Sequence, residues 1–221
     1  MVNKKFIILL GCLLFAKSGV AGECDEYKKS PEITLKKAEQ NIVIKKSDKD
    51  LWPVGGFVNI QPFNSVSPKI GYVFNGKFYC VYLDSVDATV GFRDFEITVD
   101  KKYKKDSCEY NAVLEHENHH ITDAKNAFEK VFPKVEKILT DVANSLEPIY
   151  VESAEGVPYA MEKISDNIVK NKKLKNLVQE FQKQQESDAK KLDEKPDEKL
   201  QKCEQDKLDA AFEKYYKEKT K

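Results

Sequence analysis

The chain has 221 residues and is charge-balanced, with 37 lysine and arginine side chains against 37 aspartates and glutamates. Zero net charge excludes a global field that would draw the protein to nucleic acid or anionic lipid. The length suits one well-buried core rather than a string of domains.

The chain opens with Lys4 and Lys5, then an apolar run from Phe6 to Ala16, then small residues at Gly19, Ala21 and Gly22. That order reads as a secretory signal peptide over residues 1–22. The apolar run is shorter than the ~20 residues a membrane-spanning helix needs. Leu9 to Cys12 also resembles a lipoprotein cleavage box, which would lipidate Cys12, but the apolar run continues past that cysteine. The expectation is export to the periplasm or the exterior, with no transmembrane segment after the signal is removed and with oligomeric state open. Loss of Cys12 leaves Cys24, Cys80, Cys108 and Cys203, an even set that predicts two disulfides. Three pairings are possible. The favoured one joins Cys80 to Cys108 and Cys24 to Cys203.

Residues 23–221 are expected to form a single α+β domain, strand-rich over 23–100 and helical over 101–221. Ile33–Lys37, Asn41–Lys46 and Phe57–Gln61 alternate apolar and polar residues, as half-buried strands do. Ile70–Phe74 and Lys77–Leu83 flank Asn75-Gly76, the strongest hairpin signal in the chain. Asp94–Asp100 alternates as well. An N-terminal antiparallel sheet is the predicted arrangement.

After Lys105 the pattern turns helical. Asp106 or Ser107 can cap a helix that runs to about Phe132, where Pro133 stops or kinks it. A second helix is predicted over Pro133–Leu146. A third starts near Pro158 and uses Met161, Ile164, Ile168, Leu177, Val178 and Phe181. Residues 182–197 are almost wholly polar and include Pro196, which predicts a hinge. A last helix is expected over Lys199–Lys217.

All three histidines fall in one window, His116-Glu117-Asn118-His119-His120, which spells H-E-x-x-H. On a helix, His116 and His120 sit about 40° apart and roughly 6 Å along the axis. Two imidazoles so placed can share one tetrahedral zinc. Glu117 is displaced by about 100° from His116, clear of the metal yet within reach of a water upon it. A water acidified by a metal, with a carboxylate to take its proton, is the equipment of amide hydrolysis. His119 points away from His120 and reads as a partly exposed side chain. A catalytic zinc takes three protein ligands. With both motif histidines used, the third should be a carboxylate, or else a tyrosine or water.

Val113–Asp123, with this motif at its centre, resembles the active-site helix of zincin metallopeptidases. It is also similar to uncharacterised bacterial secreted proteins proposed to be zinc proteases. The metzincin extension is absent, with Asp123 and Asn126 in place of its glycine and last histidine, which leaves the gluzincin pattern. Glu162-Lys-Ile-Ser-Asp166 resembles the E-x-I-S-D segment of thermolysin-like enzymes. That match implies Glu162 as third metal ligand and Asp166 as a residue holding a histidine ligand from behind. Glu147, Glu152 and Glu155 are rivals to Glu162. The resemblance also implies that Asp94–Asp100 is the strand whose edge binds substrate backbone. Asp123 lies on the histidine face and either orients His120 or is a plain surface residue. Tyr159 is the candidate donor to a developing oxyanion, with Tyr150 and Tyr103 as alternatives.

The reading that follows is a secreted zinc-dependent hydrolase acting on peptide or protein, with Glu117 as general base. The alternatives are a non-enzymatic metal-binding or interaction protein of the cell envelope, and a metal-free helix that happens to cluster its histidines.

Overall fold

The computed structural model describes residues 22–51 and 55–219. The expected leader up to Ala21, with Cys12, lies outside the described residues. The chain is an α+β protein, with β-sheets first and a long helical half after them. The strands are β1 (Glu32–Lys37), β2 (Ile42–Lys46), β3 (Gly56–Asn59), β4 (Pro62–Phe74), β5 (Tyr79–Phe92), β6 (Phe95–Val99) and β7 (Ile149–Val151). The helices are α1 (Cys108–Ser145), α2 (Val157–Val169), α3 (Lys172–Asp193) and α4 (Glu198–Lys219).

The sheets are mixed, not antiparallel as expected. β5 is the long central strand of the first: β4 covers one edge, while β1 and β7 share the other. The second sheet has the order β2-β6-β3. β1 and β2 run parallel to β5 and β6. The reason lies in the connections. β1–β2 and β5–β6 are both consecutive strands on short links, and the first link bonds to the second and to the strand ends beside it. Ala38 N–H donates to Val90 O, Phe95 N–H to Asn41 O, and Asn41 N–H to Asp94 Oδ1 at 2.9 Å. The β4–β5 hairpin turns at Asn75-Gly76 as predicted, with Gly76 at φ 94°. The Asn75 side chain accepts from the Lys77 and Phe78 N–H groups, pinning the turn.

The substrate-edge assignment to Asp94–Asp100 does not hold. β6 is the middle strand of its sheet, bonded on both sides, and the edge strands are β2 and β3.

Ser107 caps α1 by accepting from Tyr110 N–H. The helix runs through Pro133 to Ser145 in one piece, so the two predicted helices are one. A proline inside a helix costs about 3 kcal/mol. Burial on both sides of it, by Phe128 before and Val135, Leu139 and Ala143 after, outweighs that cost. The third predicted helix is instead split, between α2 and α3, with Asn171 capping α3. The polar hinge over 182–197 is confined to residues 194–197, because α3 continues helical to Asp193. Phe92, Phe95, Phe128 and Phe181 form an aromatic cluster, with centroids 5.4 to 6.3 Å apart, that fastens β5, β6, α1 and α3 into one core.

The disulfides are Cys24–Cys80 and Cys108–Cys203. The expected pairs, Cys80–Cys108 and Cys24–Cys203, are not formed. The N-terminal turn lies on the β5 face opposite the main core, where Cys24, Phe78 and Cys80 make a small cluster of their own. α4 instead packs on α1, which brings Cys203 to the first turn of that helix.

Candidate metal centre and cleft

α1 crosses the second sheet so closely that only glycine fits at position 56. A Cβ there would stand 2.4 Å from Val113 Cγ1 and 2.9 Å from the Thr98 carbonyl oxygen. Its neighbour Gly55 takes φ +74°, a backbone conformation that glycine adopts freely. Fully buried Asp100 fixes the same corner, accepting from Leu51 N–H at 2.6 Å and Lys102 N–H at 2.8 Å. Burial alone would push the Asp100 carboxyl up. The two backbone donors more than offset this and hold it below its ordinary value. β3 is therefore pressed onto α1, and the Val58 backbone meets Glu117.

His116 and His120 lie one turn apart on α1, as the spacing requires. Their Nε2 atoms are 3.2 Å apart. Asp193, the last residue of α3, completes a triangle. Its Oδ1 is 2.9 Å from His120 Nε2 and 3.2 Å from His116 Nε2. Among the described residues this is the group whose donor atoms converge as metal ligands would. The fit to zinc can be tested by geometry. Ligand bonds of about 2.0–2.1 Å at tetrahedral angles put donor atoms roughly 3.3 Å apart, and the three edges here are 3.2, 2.9 and 3.2 Å. Burial holds the His120 imidazole below its usual pKa against the opposing pull of Asp193, which favours the neutral, ligating form.

Glu117 faces the same cleft and is 4 % exposed. Burial pushes its carboxyl up to about 7. His116 opposes the rise, Asp193 adds to it, and the Val58 N–H bond pulls it down. A carboxyl that titrates near neutrality is suited to take a proton and return it.

The cleft has a volume of about 950 Å³. β3 and the chain after it supply a largely apolar wall with Phe57, Val58 and Ile60. α1 forms the base, and α3 with the start of α4 closes the other side.

Of the other candidates, Asp123 lines the cleft and adds its charge near His120, but Asp193 is what touches the ring. His119 is exposed as expected. Glu162 is corrected as third ligand. It lies exposed on α2, which packs against β4 and β5, and it is not part of the cleft lining. Asp166 pairs with Lys170 at 2.8 Å and holds no histidine. Tyr159 is 72 % exposed and outside the cleft. Tyr150 packs on Phe78, and Tyr103 gives its hydroxyl to Glu204. Glu147 pairs with Lys28. The residue that sequence reasoning missed is Asp193. Its signal was the helical spacing of the apolar residues Phe181, Ala189 and Leu192, which carries α3 through the supposed hinge. No known protein family, no curated protein and no solved structure matches this chain.

Proposed function

We propose that this protein is an exported zinc-dependent hydrolase acting on peptide bonds, with His116, His120 and Asp193 as zinc ligands and Glu117 as general base. The observation that carries the reading is the near-tetrahedral triangle of His116 Nε2, His120 Nε2 and Asp193 Oδ1 beside a buried carboxyl. Zinc bound there would acidify its water toward neutrality and polarise a carbonyl. Glu117, buried beside the triangle, would take the proton from the attacking water and hand it to the departing nitrogen. β3 is an edge strand alongside the triangle, with its Val58 N–H engaged by Glu117, and its outer edge could take up an extended chain. Two disulfides in the described residues support export to an oxidising compartment.

The test is zinc content and peptide turnover of the wild type and Glu117→Gln. One zinc per chain in both, with turnover reduced at least ~100-fold in the variant, is the expected result. Zinc binding without turnover in the wild type would instead indicate a metal-binding protein of the envelope. Absence of zinc from both would leave the histidine cluster a structural feature only.

A further inference from the structure

The chain as a whole is neutral, yet its cleft is not. Zinc would balance Asp193 and Glu117. What then remains on the lining is Asp123, Glu186, Asp188, Asp197 and Glu204 against Lys195 alone. Some of this charge is already engaged. Lys191 lies 3.1 Å from Asp188, Asp197 accepts from Leu200 N–H at the start of α4, and Glu204 accepts from Tyr103. Among the described residues no ion pair neutralises Asp123 on α1 or Glu186 on α3, two acids that line the cleft from different helices. A concave surface of one sign focuses its field on the bound ligand.

A second feature is independent of charge. The Gln185 amide nitrogen, also on the cleft lining, is shut off from solvent and meets no acceptor among the described residues. A buried N–H without an acceptor is unfavourable; the Gln185 side chain as a whole is only partly buried, and turning its amide toward the cleft would let a ligand carbonyl relieve it. The same cleft is lined by the apolar residues Phe57, Val58 and Ile60 on β3 and just after it. A ligand matching all three features carries backbone carbonyls, some apolar side chains and positive charge.

We propose that the cleft selects lysine- and arginine-bearing peptides, with Asp123 and Glu186 as the residues that set the preference and Gln185 as a donor to the peptide backbone. This rests on the reading of the site as a zinc peptidase. The two can nevertheless fail separately, because charge preference is measured by binding and the zinc reading by metal content.

The experiment uses the full mature chain carrying Glu117→Gln, loaded with zinc, and three dye-labelled peptides. These differ only in having lysine, glutamine or glutamate at the same positions, and binding is followed by fluorescence anisotropy. The lysine peptide should bind about tenfold tighter than the glutamine peptide at low salt, and the glutamate peptide weakest. The advantage should shrink at high salt. Adding Asp123→Asn and Glu186→Gln should reduce it to about twofold while leaving the glutamine peptide unchanged. Gln185→Leu should weaken all three peptides alike. Equal affinities, an advantage untouched by the double substitution, or no binding of any peptide would overturn the proposal. Zinc content of the same samples reports on the metal site. A lysine preference in protein that holds no zinc would support the charge selection and refute the metal reading alone.

Discussion

Asp193 Oδ1 lies 2.9 Å from His120 Nε2, although 73 residues separate them. The contact joins the last residue of α3 to the middle of α1, and it makes a two-histidine motif into a three-cornered site. On the proposed zinc reading, removing one of the three corners should cost more than the 10- to 100-fold typical of residues behind the ligands. Asp193→Ala is therefore expected to lower zinc affinity by at least ~100-fold, read by competition with a chromogenic chelator. Glu162→Ala should leave it within about twofold, since Glu162 is exposed on α2 outside the cleft. The reverse ranking would return the third corner to α2.

Glu117 predicts how the metal-free protein responds to pH. Its carboxyl rises from 4.5 to about 7 on folding, first of all through burial. The folded state thus holds a proton more tightly than the unfolded chain. The stability linked to this group is fully present below pH 4.5 and lost as pH rises through about 7. Glu117→Gln removes that loss. In the presence of a chelator the variant should match the wild type near pH 4 and exceed it by ~2–3 kcal/mol near pH 8. Urea unfolding at the two pH values measures this. Equal stability at both would mean the carboxyl is not desolvated.

Local signals were legible in the sequence where the physics is local. Asn75-Gly76 sets its own turn, Ser107 caps its own helix, and His116 and His120 face one way because four residues nearly complete a turn. What depends on the docking of distant elements was not legible. Asp193 is one acid among 37 Asp and Glu until α3 is laid along α1. The pairing of four cysteines is equally a matter of which helix lands where. Pro133 misled because its cost is local while the burial that offsets it is not. Gly55-Gly56 was a readable sign of close backbone approach before the motif helix, and it marks the strand that borders the site.

Gly56 gives a packing prediction. The Cβ of Gly56→Ala would sit 2.4 Å from Val113 Cγ1 and 2.9 Å from the Thr98 carbonyl. β3 must then lift from α1, at a cost of about 2–4 kcal/mol. Val113→Ala in the same chain removes the nearer obstacle but not the carbonyl. It should recover part of the loss, so that the two substitutions together cost less than their sum. Thermal unfolding of the four proteins gives the cycle. Strict additivity would show that β3 does not press on Val113.

The two disulfides should separate stability from metal binding. Each closes a long loop, with sequence separations of 56 and 95 residues, so removing either should cost about 2–5 kcal/mol. Cys24–Cys80 joins the N-terminal turn to β5 in a cluster away from the main core. Cys108–Cys203 holds α4 on α1, helped by the Lys199–Glu115 ion pair and by Lys207–Glu109 at 3.1 Å. Asp193 sits between the α3 core contact at Phe181 and this anchored helix, so its position depends on α4 staying docked. Replacing Cys108 and Cys203 by serine should therefore lower the unfolding temperature and also weaken zinc binding by about tenfold. Replacing Cys24 and Cys80 should lower the unfolding temperature while leaving zinc affinity within about twofold. The decisive comparison is zinc affinity well below both unfolding transitions. Equal losses in the two pairs would mean that Asp193 is positioned by general stability rather than by α4.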